Sequence, residues 1–273
     1  MHIIEKKYQL DITSEPLTVR VFLPDGYEES GGRYPVVYMN DGQDVFMDSQ
    51  AYGGSESLRF VRYYQDYSLF LPRVIIVAVS APRVPAVRTA LYSPYTKDFA
   101  VPAGKKFEPH IEGKGDAYLR WMTEILKKDI DGTYRTYPDA DYTALCGYST
   151  GGLNSVYASM MYQTCFRRFI AMSPALAIWT DKLEETMKTC RGMDKILYLY
   201  LDVGTNESGR MTTAPEFLEG SSAIAEFYRN QGLDDSRFKF NIYPGAVHSQ
   251  AEWRKRFPDA LRWVFRDCTV STK

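Results

Sequence analysis

The stretch Tyr142-Thr-Ala-Leu-Cys146, followed by Gly147-Tyr-Ser149-Thr-Gly151-Gly152, limits this 273-residue chain more than any other. A short apolar run, a Gly-x-Ser-x-Gly turn and a helix-like segment to about Tyr162 describe a strand that turns sharply into a helix. Such a turn exposes its central residue at the carboxyl end of a sheet, and the flanking glycines let strand and helix lie close together. Ser149 would then stand where a reactive hydroxyl is useful. The pattern alone arises by chance in about one such chain in twelve, so the residues around it must decide its meaning.

Apolar residues make up 45% of the chain and charged residues 25%, as in a soluble globular protein. A net charge of −1 gives no pull toward nucleic acid or an anionic membrane. Met1-His-Ile-Ile-Glu-Lys-Lys7 lacks the apolar core and cleavage site of a signal peptide, and the longest apolar run, Val74 to Val79, is too short to span a bilayer. The expectation is a cytoplasmic protein with no membrane partner. Cys146, Cys165, Cys190 and Cys268 are widely spaced without a Cys-x-x-Cys pair, which argues against a zinc site and a disulfide framework.

Two strand-like segments, around Ile3–Leu10 and Leu17–Leu23, suit an antiparallel pair at a sheet edge. From Pro35 onward strands alternate with helices. The strands are Pro35–Met39, Val74–Val79, the run before Ser149, Phe169–Met172, Ile196–Asp202 and Phe238–Tyr243. The helices are Ser55–Tyr67, one entered through Gly113-Lys-Gly-Asp116 and stopped by Asp131-Gly132, the segment after Ser149, Lys182–Cys190, Pro215–Gln231, and a last one that Pro258 should kink or restart. Ala81 to Gly115 reads as one long irregular loop that lines the substrate pocket. Arg83, Arg88 and Lys97 around it read as solvated charges rather than contacts to an anionic substrate. Alternation of this kind predicts one doubly wound α/β domain spanning 1–273, with a mostly parallel sheet and an antiparallel edge.

In such a sheet the ligand crevice lies beyond the carboxyl ends of the strands. Asp41–Gln43, Ser149, Glu207 and His248 all fall just after predicted strands. A serine hydroxyl needs a neighbouring base, usually a histidine oriented by a carboxylate, in the chain order Ser, acid, His. Of His2, His110 and His248, only the last follows Ser149. Glu207, in the Gly-Thr-Asn-Glu turn, is the favoured acid, and Asp202, nearer the strand, is the alternate. Backbone donors for an oxyanion are expected from Thr150, directly after the serine, and from the Asn40-Asp-Gly-Gln43 turn through the Gln43 amide.

These residues carry a resemblance. Tyr38-Met-Asn-Asp-Gly-Gln-Asp-Val-Phe46, Gly113-Lys-Gly-Asp-Ala-Tyr118, Gly147-Tyr-Ser-Thr-Gly-Gly152, Ala171-Met-Ser-Pro174, Gly204-Thr-Asn-Glu207 and His248 to Trp253, with Arg254 following, resemble the putative-esterase family of α/β-hydrolases. That family includes enterochelin, feruloyl and acetyl-xylan esterases and S-formylglutathione hydrolases. The resemblance spreads from about residue 15 to 266, nearly the whole chain. The resemblance implies an α/β-hydrolase fold, Ser149 as nucleophile, His248 as base and the carboxylate of the Gly-Thr-Asn-Glu turn as acid. Many relatives have Asp where this chain has Glu207, and Met where it has Thr150; only the amide of the latter is needed.

The expected activity is cofactor-independent hydrolysis of a small-molecule carboxylic ester by a Ser-His-acid triad through an acyl-enzyme. An acyltransferase on the same machinery is one rival, and a catalytically silent binding protein on the same fold is another. A metal-dependent hydrolase is disfavoured, since no His-Glu-x-x-His occurs and three scattered histidines are too few.

Overall fold

The computed structural model describes residues 2–52 and 56–268. Two antiparallel strands open the chain, β1 (His2–Tyr8) and β2 (Leu17–Leu23), in the register His2↔Leu23 and Tyr8↔Leu17. Strand β3 (Val36–Asn40), helix α1 (Phe60–Tyr67), strand β4 (Ile75–Val79) and helix α2 (Pro85–Tyr92) follow. A short ladder of β5 (Lys97–Asp98) with β6 (His110–Ile111) leads to a helical stretch: α3 (Gly115–Trp121), a π-helical turn at Met122–Leu126, and α4 (Lys127–Thr133). Then come β7 (Thr143–Tyr148), α5 (Thr150–Met161), β8 (Arg168–Met172), α6 (Thr180–Thr189) and β9 (Tyr198–Gly204). The last elements are α7 (Ala214–Asn230), β10 (Phe238–Tyr243) and α8 (Gln250–Val264).

Eight strands form one sheet in the order β1-β2-β4-β3-β7-β8-β9-β10. It is parallel from β4 to β10, while β2 runs antiparallel to β4. β3 and β7 hold the two central places, so the turns that leave them lie side by side. Alternate residues of β4 show why the run is almost wholly apolar. Ile75, Val77 and Val79 enter a core with side chains of α2, α3, α5, α6 and α7, while Ile76 and Ala78 enter a second core with α1 and α8. A strand covered on both faces has no solvent side on which to place a polar residue.

Four expectations change. The Ala81–Gly115 segment is not one loop, because it holds α2 and the β5–β6 ladder. A two-turn helix gives too few residues to register a period, although Pro85 at its first turn is a recognised start signal. α1 begins at Phe60 after a left-handed Arg59 (φ 48°), and Ser55, where it was expected, lies outside the described residues. β9 extends two residues past its expected end, because β10 pairs with it as far as Tyr243↔Gly204. Asp202 is therefore inside the strand. Finally, of the kink or restart expected at Pro258 the restart does not occur: α8 runs as one helix through it, and Phe257 and Leu261, both buried, anchor its two halves in the same core.

Candidate active site

The turn between β7 and α5 is built by close approach. A Cβ on Gly147 would lie 2.1 Å from the Gly151 carbonyl oxygen, so only glycine fits there. Ser149 takes φ 56° and ψ −125°, a conformation that L residues seldom adopt and that surrounding structure must hold in place. Its amide donates to the Met172 carbonyl (3.1 Å), and its carbonyl accepts from Ala175 (2.9 Å). The side chain is left at the carboxyl edge, beside the first amides of α5, which have no intrahelical partner.

His248 lies in the loop between β10 and α8, one end of its ring toward Ser149 and the other toward Glu207. Its Nε2 is 2.9 Å from Ser149 Oγ and its Nδ1 is 2.5 Å from Glu207 Oε2. Phe217 lies against one side of the ring (4.8 Å between centroids), and Trp253 meets it edge-on (4.9 Å). Glu207 is buried and its other oxygen, Oε1, accepts from Ser173 Oγ (2.5 Å) and the Gly204 amide (2.8 Å). Burial works against its charge, but the bonds from His248, Ser173 and Gly204 outweigh that and hold its carboxyl below the usual range.

Asp202 is placed differently. It is fully buried within β9, accepts from the Ser173 amide (3.2 Å) and faces Arg256 Nη1 at 3.2 Å. Burial pushes its carboxyl up to about 6, against the pull of Arg256. Of the two acids weighed from the sequence, the structure brings Glu207 to His248 and sets Asp202 behind it.

The turn after β3 faces the same crevice. Asp41 is left-handed (φ 57°), and Gly42 is obligatory, since a Cβ there would sit 2.4 Å from the Ala78 backbone. Gln43 is buried, with its side-chain oxygen accepting from the Ala81 amide (2.9 Å), while its own amide belongs to the first turn of the 3-10 segment Gly42–Asp44, where helical amides have no partner within the helix. Asn40 ties this turn to the serine turn, donating to the Gly151 carbonyl (3.1 Å) while accepting from Tyr118 (2.9 Å).

Arg88 departs from the sequence reading. It is not a solvated charge: from α2 it grips Asp41 bidentately, at 2.6 and 2.7 Å, with Asp41 only 1% exposed. Burial disfavours the guanidinium charge, and Asp41 more than offsets that. Lys97 pairs with Asp181 (2.5 Å) and Arg83 lies over the Tyr52 ring. A cavity of about 430 Å³ lies between the start of α2 and Lys105–Glu108, with Arg210 on its wall; Ser149, Glu207 and His248 are not among its lining residues. Sequence reasoning missed Asn40, Arg88, Ser173 and Arg256. Ser173 was visible only inside the Ala171-Met-Ser-Pro174 match, and nothing in the sequence marks Arg256. Among the described residues no three His, Cys, Asp or Glu side chains cluster to hold a metal, and no helix is long and apolar enough to cross a membrane.

A parallel sheet with helices on both faces, an antiparallel N-terminal edge and a serine on the strand–turn–helix of a central strand define the α/β-hydrolase fold. The chain belongs to the putative-esterase family, whose model matches residues 11–264, and is thereby a carboxylic ester hydrolase. It is similar to an IroE-like serine hydrolase from Shewanella oneidensis, with 22% identity, 99% of this chain and 82% of that one covered, and a TM-score of 0.78. It is also similar to the enterobactin esterase FES from Shigella flexneri, at 15% identity, covering 98% of this chain and 60% of that one, with a TM-score of 0.73. The protein YbbA of Bacillus subtilis is 22% identical over 246 residues, 90% of this chain and 91% of its own.

Proposed function

We propose that the chain is a serine esterase in which His248, oriented by Glu207, deprotonates Ser149. The observation that carries this reading is the unbroken chain of contacts from Glu207 through His248 to Ser149, at 2.5 and 2.9 Å. With the Nδ1 proton directed to Glu207, the Nε2 lone pair is free to take the Ser149 proton as Oγ bonds to the ester carbonyl carbon. The negative charge passes to the carbonyl oxygen, where the amides of Thr150 and Gln43 serve as donors. His248 then gives the proton to the departing alkoxide as the C–O bond breaks, leaving the acyl group on Ser149. Water, deprotonated by the same imidazole, attacks the acyl-enzyme and releases the carboxylic acid. The substrate is a small-molecule ester, and siderophore-type esters head the list to screen because a similar protein is an enterobactin esterase.

Turnover of p-nitrophenyl acetate tests the reading, with products resolved in the presence and absence of an alcohol. Free acetate as the main product supports hydrolysis, predominant transfer to the alcohol would make the protein an acyltransferase, and no nitrophenol release would sink both.

The grip of Arg88 on Asp41 gives a further expectation. Arg88→Gln leaves a buried carboxylate without its partner at the base of the turn that carries the Gln43 amide. We expect kcat to fall roughly 10- to 100-fold, since small displacements of a donor are costly. KM should move much less, and stability should drop by about 3 kcal/mol. Steady-state kinetics and chemical denaturation of the same preparation check both; an unaltered kcat would remove Arg88 from any role at the turn.

A further inference from the structure

We infer that Ser173 is a positioning residue that fixes the direction of every hydrogen bond from Glu207 to Ser149. The inference rests on the proposed triad and follows from counting protons. Ser173 Oγ receives Trp253 Nε1 at 2.9 Å and Arg256 Nη2 at 3.1 Å. An indole N–H and a guanidinium can only donate, so these two contacts occupy the acceptor positions of the hydroxyl. Its single proton is left one destination, Glu207 Oε1 at 2.5 Å. The Gly204 amide, also a donor only, reaches the same oxygen at 2.8 Å. Glu207 thus accepts twice at Oε1, contacts that together with His248 hold its carboxyl below the usual range and therefore ionised at neutral pH, and its remaining oxygen Oε2 faces His248 Nδ1. A carboxylate with no proton of its own takes one from Nδ1, which fixes the imidazole tautomer with its Nε2 lone pair toward Ser149.

The backbone supports a positioning role. Ser173 leaves β8 at φ 42°, unusual for a residue with a side chain, and it is fully buried. Its amide donates to the carbonyl (2.9 Å) and side chain (3.2 Å) of Asp202, which ties the residue to β9. Strain of this kind persists where neighbouring structure over-determines it. Trp253 adds a second link, because the indole that feeds Ser173 also lies edge-on to the His248 ring and stacks on Tyr148 at 4.2 Å.

The groups facing Glu207 are Ser173 from the end of β8, Gly204 from β9, His248 from the loop before α8, and Arg256 from α8 at 4.0 Å, with Asp202 behind. Removing the Ser173 hydroxyl takes away a bond to the ionised form, so the Glu207 carboxyl should titrate at higher pH. Activity that needs the carboxylate would then be lost earlier as pH falls.

The test compares Ser173→Gly, which suits the left-handed backbone but lacks the hydroxyl, with Ser173→Cys, whose unbranched side chain keeps a donor and an acceptor at the same place. Two readouts are used: the pH profile of ester turnover, and the downfield Nδ1–H resonance of His248. Ser173→Gly should lower kcat roughly 10- to 100-fold with KM little changed, move the acid limb to higher pH and shift or broaden the resonance. Ser173→Cys, with its weaker S–H donor, should bring the pH profile and resonance back toward wild type. If Ser173→Gly does not fold, Trp253→Phe keeps the ring, frees one acceptor position on Ser173, and should move both readouts the same way by less. Wild-type kcat, pH profile and resonance in folded Ser173→Gly would overturn the inference. Absence of both turnover and the resonance in the unaltered protein would instead overturn the triad itself.

Discussion

Ser149→Ala is expected to reduce hydrolysis of p-nitrophenyl acetate by roughly 10⁴- to 10⁶-fold in kcat, the scale seen when a serine enzyme loses its nucleophile. The residual rate would come from binding and from the oxyanion donors, which the substitution leaves in place. Folding should be preserved. The side chain of Ser149 is only part-buried and is hydrogen-bonded to His248, while the bonds that hold the turn run through its backbone to Met172 and Ala175. Denaturation within about 1 kcal/mol of the unaltered protein would accompany the loss. Retained turnover would mean that another group attacks the ester.

The second large effect separates the two carboxylates. Glu207→Gln should cost about 10³- to 10⁴-fold in kcat, because an amide can offer its own N–H to His248 Nδ1 and so favour the wrong tautomer. Asp202→Asn should cost less than tenfold, roughly the effect of a change once removed from the reacting groups. Asp202 touches Ser173 and Arg256, not His248. Its replacement should instead appear in stability, because Arg256 is only 3% exposed and would lose its nearer counter-charge, leaving Glu207 at 4.0 Å. Equal losses of kcat in the two variants would mean that the carboxylates act as one coupled unit. A larger loss in Asp202→Asn would reverse their roles.

Much of this architecture was legible because the relevant signals are local. β2 and β10 were bounded correctly by alternation and turn residues, and the strand–turn–helix around Ser149 was spelled out by its glycines. Chain order then reduced three histidines to His248. What stayed hidden depends on contacts between distant residues. Val203 and Gly204 are strand because β10 lies beside them, so Asp202, read as the last strand residue, lies two residues inside β9. Arg88 sits in a proline-flanked, two-turn helix, and its partner Asp41 is 47 residues away. Arg256 reaches Ser173 across 83 residues, and no spacing rule announces such a contact. The same holds for α8, where buried Phe257 and Leu261 override the local tendency of Pro258 to interrupt a helix.

The central claim is that Ser149 is a nucleophile activated by His248. Incubation with a fluorophosphonate probe, followed by mass spectrometry of the digested protein, tests it most directly. A single adduct on the peptide containing Ser149 is predicted, absent in Ser149→Ala and formed far more slowly in His248→Ala. An intact, folded protein that gains no adduct, or gains one on a different residue, would contradict it.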